Sequence, residues 1–232
     1  MNLYVGTSGY SYPEWKGTFY PQDLSDKQML HFYGGMFRTV EINNTFHRMP
    51  TLPLLEHWAG EVPADFKFVL KAPQRITHFQ RLLDADDSVS YLVEVSGVLG
   101  VRLGALLFQL PPGLKKDLPR LRDFLALFPP RRRVAFEFRH ASWFDEEVYA
   151  LLRRHDAAMC IAEADEHVEV PFVSTASWGY LRLRREDYGA AELKSWVKRV
   201  REAGWQDAFV FFKHEDAAKG PLMAKRFLEL AG

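Results

Sequence analysis

The sequence predicts an α/β fold, a single-domain (β/α)8 barrel of the triosephosphate isomerase (TIM) type. Eight short apolar runs recur along the 232 residues, and nearly all of them are followed by a stretch with helical spacing. A chain of this length fits one large domain or two small ones, and an α/β barrel of this size is ordinarily a single domain. Neither a linker-like segment nor a low-complexity stretch divides the chain, so the expected domain covers residues 1–232.

The predicted strands are apolar runs bounded by glycine, proline or charged residues. They cover 3–7, 39–46, 66–71, 104–110, 133–139, 158–162, 179–183 and 208–213. The fourth is expected to stop at Gln109, because the prolines at 111 and 112 cannot donate to the ladder.

The predicted helices follow these strands at 26–37, 53–59, 84–99, 118–128, 145–155, 190–203 and 219–230. Asp84, Asp86 or Ser88 is a candidate N-cap for the third helix. Residues 163–177 hold no convincing helical pattern, so the connection between the sixth and seventh strands is expected to be irregular.

The fifth strand combines an apolar face with a charged one. Its alternation places Val134 and Phe136 on one face, and Ala135, Glu137 and Arg139 on the other. A buried ion that is left unpaired costs several kcal/mol. Glu137 and Arg139 must therefore pair with each other, find other polar partners or line a solvent-filled site.

Polar side chains gather at the predicted carboxyl ends of successive strands. Because these ends meet at one mouth, where barrels of this class hold their active sites, we expect the side chains to converge there. In strand order they are Thr7 and Ser8, Glu41 and Asn43, Lys71, Gln109, Glu137 and Arg139, Arg182 and Arg184, and Lys213. Cations outnumber acids in this set, which favours an anionic ligand such as a phosphate ester or a carboxylate.

These positions predict an acid–base enzyme acting on a small anionic, phosphorylated or sugar-like substrate. The predicted catalytic residues are Glu41 and Glu137 as general acid or base and Lys71 as a stabiliser of developing negative charge. The predicted substrate-binding residues are Ser8, Tyr10, Asn43, His78, Gln109, Arg139, His140, Arg182 and Lys213. The structural alternative is that Glu137 pairs with Arg139, that Glu41 pairs with Lys71, and that Arg184 belongs to a surface turn.

No metal or cofactor is expected. His47, His78, His140 and His214 follow strand ends, but they lack the spacing of a known ligand motif. His78 and His140 are the better candidates for acid–base work. The chain contains no serine-hydrolase elbow, dinucleotide fingerprint or P-loop. Its single cysteine, Cys160, excludes an internal disulfide and is expected to be a packed thiol.

The net charge of +0 speaks against a broad nucleic-acid or membrane-binding surface. A protein that binds or processes nucleic acid through the cationic mouth, and a non-catalytic metabolite-binding scaffold, remain the alternatives to an enzyme. The N-terminal residues do not resemble a signal peptide, and no run is apolar enough to span a membrane, so a cytoplasmic location is expected. The oligomeric state is left open.

Several motifs resemble the YecE-like family, which is catalogued as a domain of unknown function, number seventy-two. They are the stretches 6–12, 40–46, 71–73 with 77–78, 108–112 and 137–144. The resemblance spans essentially the whole chain and implies a TIM-type barrel, but no particular reaction. The chain departs from the family pattern at His47, at 182–185 and at 211–216, so ligand preference is least transferable there.

Overall fold

The computed structural model describes residues 1–163, 169–213 and 216–232. Its eight strands are all parallel and form one sheet in the order β1-β8-β7-β6-β5-β4-β3-β2. They are β1 (Asn2–Thr7), β2 (Thr39–Ile42), β3 (Lys67–Lys71), β4 (Leu103–Gln109), β5 (Val134–Glu137), β6 (Ala158–Glu163), β7 (Trp178–Leu183) and β8 (Asp207–Phe212). A single bridge between Ser8 and Glu41 links β1 to β2, so the barrel is nearly closed. The predicted α/β barrel is confirmed.

The α-helices of the described residues pack around the sheet. They are α1 (Met29–Met36), α2 (Leu52–Glu61), α3 (Asp86–Ser96), α4 (Leu118–Leu125), α5 (Glu146–Arg154), α6 (Ala190–Glu202) and α7 (Lys219–Ala231). The predicted side-chain cap of α3 is wrong, because Ala85 occupies the N-cap position and no side chain bonds there. Asp86 and Asp87 instead lie in the first turn, where the helix dipole favours negative charge.

The second strand is shorter than predicted. It ends at Ile42, and a 3-10 turn follows at Asn44–Phe46. The Thr45 hydroxyl is within hydrogen-bond distance of the backbone oxygens of Ile42 (3.1 Å) and Lys71 (2.7 Å), which ties the turn to the end of β3. The turn removes Asn43 from the regular alternation that would have placed it beside Glu41.

The interior of the barrel is filled by large side chains below its carboxyl end. The interior cluster contains Tyr4, Val69, Ala105, Leu107, Ala135, Ala158, Cys160, Trp178, Tyr180, Phe209 and Phe211. Burial raises the pKa of the Cys160 thiol, in agreement with a packed thiol. The alternation predicted for β5 holds, since Ala135 belongs to this cluster and Phe136 to the second core between sheet and helices. The charged site therefore rests on a packed apolar floor.

The connection between β6 and β7 is irregular where it is described. Residues 169–177 form neither a helix nor a strand, and 164–168 lie outside the described residues. The connection is tied to the start of β6 by Thr175, whose hydroxyl donates to the Ala157 oxygen (2.8 Å) and accepts from the Met159 amide (2.7 Å). In the described part of the chain, no helix is both long and apolar enough to cross a bilayer.

Candidate functional site

Two buried carboxylates lie at the carboxyl end of the barrel and share one guanidinium. Arg182 of β7 donates from Nη2 to Glu41 Oε1 (2.8 Å) and from Nη1 to Glu137 Oε2 (2.5 Å). Both glutamates are 0% exposed and Arg182 is 2% exposed. The ends of β2, β5 and β7, which are distant in sequence, are joined in one ion-pair network.

The remaining carboxylate oxygens also have partners. Tyr180 donates its hydroxyl to Glu41 Oε2 (2.5 Å). Glu137 Oε1 accepts from Gln109 Nε2 (2.9 Å) and from Arg184 Nη2 (3.1 Å). Every oxygen of the two carboxylates is therefore engaged, which is the condition for keeping buried charges without a large penalty. We call these six residues the carboxylate network.

The charges of the network set its protonation. Burial alone would raise the pKa of Glu137, but the charges of Arg182 and Arg184 and the hydrogen bonds from Gln109 and Arg182 outweigh burial and bring the pKa to about 2. Burial likewise opposes the charge of Arg182, whereas Glu41 and Glu137 hold its pKa well above the usual range. Glu137 is ionised at neutral pH and cannot act as an acid there.

The ion pairs differ from the pairs that the sequence suggested. Glu137 bonds Arg182 and Arg184, which come from β7 and its end, and Glu41 bonds Arg182 across the barrel rather than Lys71. The reading of Arg184 as part of a surface turn is wrong, because its side chain is only 14% exposed and reaches Glu137. The period of a strand predicts the face of a residue but not its partner on another strand.

Lys71 ends β3 beside this network and is only 8% exposed. Its Nζ lies 4.0 Å from the centroid of the Phe46 ring, a cation–π contact. Burial and the charge of Arg182 lower the pKa of Lys71 to about 8, although Glu137 and Glu41 act in the opposite direction. A measurable share of its amine is therefore neutral at physiological pH.

His78 packs on the same aromatic ring. The ring centroids of His78 and Phe46 are 5.0 Å apart, and His78 Nδ1 lies 2.9 Å from the Thr77 hydroxyl. Burial and the charges of Lys71 and Arg139 lower the pKa of His78, so its imidazole is neutral at pH 7. Phe46 thus contacts both a lysine and a histidine whose pKa values are lowered by burial and by neighbouring cations. We call Lys71, Phe46 and His78 the Phe46 cluster.

The structure places three other predicted residues around the mouth with different surroundings. Arg139 follows β5, is half-buried and acts electrostatically on His78. Lys213 follows β8 and is exposed. His140 accepts a hydrogen bond from the Ser142 amide at Nδ1 (3.1 Å), which caps the short 3-10 turn Ala141–Trp143. Their roles in binding remain predictions.

Ser8, Tyr10 and Asn43 do not join the carboxylate network. Ser8 is buried, and within the described residues its hydroxyl has no hydrogen-bond partner. Tyr10 and Asn43 line a separate pocket of about 440 Å³ that is bounded by Trp58 of α2. Of the other histidines, His47 is exposed and His214 lies outside the described residues. Among residues 1–163, 169–213 and 216–232, no three His, Cys, Asp or Glu side chains are grouped to hold a metal ion.

Two residues of the site were missed from the sequence: Tyr180 and Phe46. The alternation in β7 puts Tyr180 on one face with Arg182 and Arg184, so a stricter use of strand period finds Tyr180. Phe46 lies in the 3-10 turn after β2. No sequence signal indicates that this turn brings its ring to Lys71.

Comparisons with known proteins agree with the motifs. Residues 4–232 match the family model described as "Protein of unknown function DUF72". UPF0759 protein YecE of Escherichia coli (strain K12) is 29% identical over 143 residues, which are 61% of this chain and 50% of YecE, so the match spans only half of that protein. UPF0759 protein YunF of Bacillus subtilis (strain 168) is 24% identical over 98% of this chain and 94% of its own length.

A solved structure shares the whole barrel. The crystal structure of a DUF72 family protein from Thermotoga maritima MSB8 superimposes with a TM-score of 0.83 and is 28% identical, over 99% of this chain and 100% of that chain. The names of these relatives state no reaction or substrate. The chemistry proposed below therefore follows from the side chains of this site.

Proposed function

The chain belongs to the DUF72 family, and within that family we propose that it is an enzyme that transfers protons on a small anionic substrate, with Lys71 and His78 as its acid–base groups. The observation that carries this proposal is the nearly buried Lys71 amine, whose pKa is lowered to about 8. An acid–base group works best when its pKa lies near the working pH. Perturbed lysines in clefts are candidates for catalysis for this reason.

In this proposal the two carboxylates position other groups rather than transfer protons themselves. Their oxygens are engaged by Arg182, Tyr180, Gln109 and Arg184, and Glu137 stays ionised far below neutral pH. They hold Arg182 in the mouth, and their negative charge moderates the lowering of the Lys71 pKa. The sequence-based assignment of Glu41 and Glu137 as acid or base is thereby replaced by Lys71 and His78.

The anionic character of the proposed substrate follows from the charges around the Phe46 cluster. Arg139 and Lys71 act on His78, and Arg182 and Arg184 act on Lys71. Lys71 and Arg139 would attract a substrate anion placed there, whereas the charges of Arg182 and Arg184 are largely balanced by Glu41 and Glu137. The charge expected at the mouth and the local pKa shifts support the same substrate class.

The proposal is tested in two steps. A thermal-shift screen of phosphorylated sugars, carboxylates, nucleotides and a single-stranded oligonucleotide identifies ligands, because a ligand that binds only the native state raises the melting temperature. Each hit is then incubated in D2O, and loss of a substrate C–H signal is followed by NMR. We expect Lys71→Met to abolish this exchange. Exchange that persists at the wild-type rate in Lys71→Met would contradict the proposal, and stabilisation by the oligonucleotide alone would favour nucleic-acid binding instead.

A further inference from the structure

We propose that Lys71 binds its substrate covalently, as an imine with an aldehyde or ketone that also carries an anionic group. This inference rests on the proposed function and names its substrate class. It makes Lys71 the nucleophile and leaves His78 as the group that moves protons beside it.

The surroundings of Lys71 favour a nucleophilic amine. A lysine becomes reactive when its ammonium is desolvated or lies next to other cations, because both effects favour the neutral form. Lys71 has both features, since it is 8% exposed and is influenced by Arg182 and Arg184. Among the described residues it takes part in no salt bridge, because the carboxylate oxygens nearby are bonded to other side chains.

The ring of Phe46 covers the ammonium at 4.0 Å without donating or accepting a proton. An aromatic contact stabilises the charged amine only modestly compared with a carboxylate, so the neutral amine stays accessible at a small cost. Phe46 also lines an open pocket of about 660 Å³, whose lining includes neither Lys71 nor His78. This pocket gives a small carbonyl compound room beside Phe46.

The reaction is balanced without a further reagent. The neutral Nζ attacks the carbonyl carbon, a C–N bond forms, the electron pair of the C=O bond moves to oxygen, and one proton passes from the positively charged nitrogen to that oxygen, which restores the nitrogen lone pair. The resulting hydroxyl accepts a second proton and leaves as water while the nitrogen lone pair forms the C=N bond. One water is released for each imine. His78, neutral at pH 7 and packed on the same ring, is placed to relay these protons.

An imine at this position also explains why an acid–base group is needed. The protonated C=N bond withdraws electrons from the neighbouring carbon, and a hydrogen on that carbon becomes acidic. With Lys71 held in the covalent bond, His78 is the group that accepts this hydrogen as a proton. Burial and the charge of Arg182 disfavour the positive charge of the iminium as they do that of the ammonium, and Glu137 and Glu41 offset part of this cost.

The experiment traps the imine by reduction. The full chain is incubated at pH 7.5 with pyruvate, glyoxylate or dihydroxyacetone phosphate and sodium cyanoborohydride, and acetone serves as the uncharged probe. We expect a mass gain equal to the carbonyl compound less one oxygen atom, and peptide mapping should locate it at Lys71. A pKa of about 8 instead of 10.5 makes the neutral amine roughly two orders of magnitude more abundant than that of an ordinary lysine. Labelling at Lys71 should therefore exceed labelling at the exposed Lys213, and acetone should react more slowly.

Lys71→Arg is the matched variant, because it keeps a positive charge but cannot form the imine. It should lose the label at position 71, while the exposed Lys213 is labelled as in the wild type. Equal labelling of Lys71 and Lys213, or no trapped adduct at Lys71 with any of the three anionic probes, overturns the imine.

Acylation with acetic anhydride at a series of pH values distinguishes failure of the imine proposal from failure of the proposed function. If Lys71 is acylated with a midpoint near pH 8 but no carbonyl probe is trapped, the imine is overturned and the proton-transfer proposal stands. If the midpoint lies at the ordinary 10.5, both are overturned.

Discussion

Replacing Lys71 with methionine is expected to stabilise the protein at neutral pH. The protonated amine is nearly buried, and the fall of its pKa from 10.5 to about 8 measures how strongly the folded site disfavours the charge. At about 1.4 kcal/mol for each pKa unit, the folded site destabilises the charged amine by about 3 kcal/mol at pH 7. The lost cation–π contact with Phe46, worth about 0.5–2 kcal/mol, offsets part of the gain. We therefore expect Lys71→Met to raise the free energy of unfolding by about 1–3 kcal/mol.

The dependence of this gain on pH follows from the direction of the pKa shift. Between pH 8 and 10.5 the folded chain has lost the Lys71 proton while the unfolded chain still holds it, so wild-type stability rises with pH in this window relative to the variant. The advantage of Lys71→Met should be full below about pH 8 and should shrink toward pH 10.5. Other groups that titrate there are present in both proteins and cancel in the difference.

Urea unfolding of both proteins at pH 7, 8, 9 and 10 measures the difference directly. Lys213→Met is the matched control: it removes an exposed lysine from the same rim and should change the unfolding free energy by less than about 0.5 kcal/mol. A Lys71→Met protein that is less stable than wild type at pH 7, or a difference that does not change between pH 8 and 10, would refute the argument that burial holds the Lys71 pKa down.

Three further predictions concern the carboxylate network. Glu137→Gln should lower the free energy of unfolding in urea by about 3–5 kcal/mol, because it leaves buried Arg182 without one of its anions. The control Glu202→Gln removes one partner of the exposed Lys198–Glu202 pair and should change this free energy by less than about 0.5 kcal/mol. The folded pKa of Glu137, about 2, lies below its ordinary 4.5, so its contribution to the free energy of unfolding is full above pH 4.5 and is lost as the pH falls toward 2. Equilibrium unfolding at pH 5, 4 and 3 should therefore show a shrinking difference in unfolding free energy between wild type and Glu137→Gln. A difference that stays constant would contradict this. Tyr180→Phe should cost about 1–3 kcal/mol in thermal or urea unfolding, because a buried oxygen of Glu41 loses its hydroxyl donor, and an unchanged stability would place that donor elsewhere.

Much of the barrel was predictable because it depends on local rules. Alternation in β5 predicted that Ala135 and Glu137 share the inner face, and proline chemistry predicted the end of β4 at Gln109. The gathering of charge at the carboxyl ends of the strands follows from the parallel arrangement alone. Arg182 was correctly expected at the mouth, on the same argument.

The partners of these charges were decided by the closed sheet. Glu41 and Arg182 are 141 residues apart, and Glu137 and Arg182 are 45 apart, so no helical or strand period relates them. The registers of the strands determine which side chains are level across the barrel. Arg139, next to Glu137 on the same face, was therefore a reasonable expected partner, yet the described contacts of Glu137 come from other strands.

The sequence by itself determined the parallel (β/α)8 arrangement, the two faces of β5 and the gathering of charged side chains at one end, because these follow from short-range patterns and from the geometry of parallel strands. Only the tertiary structure decided that both glutamates are engaged in ion pairs and that Lys71 is the perturbed group. A pKa depends on how much water and which charges surround an atom, and for Lys71 those surroundings are the Phe46 ring from the turn after β2 and the arginines of β7 and its end.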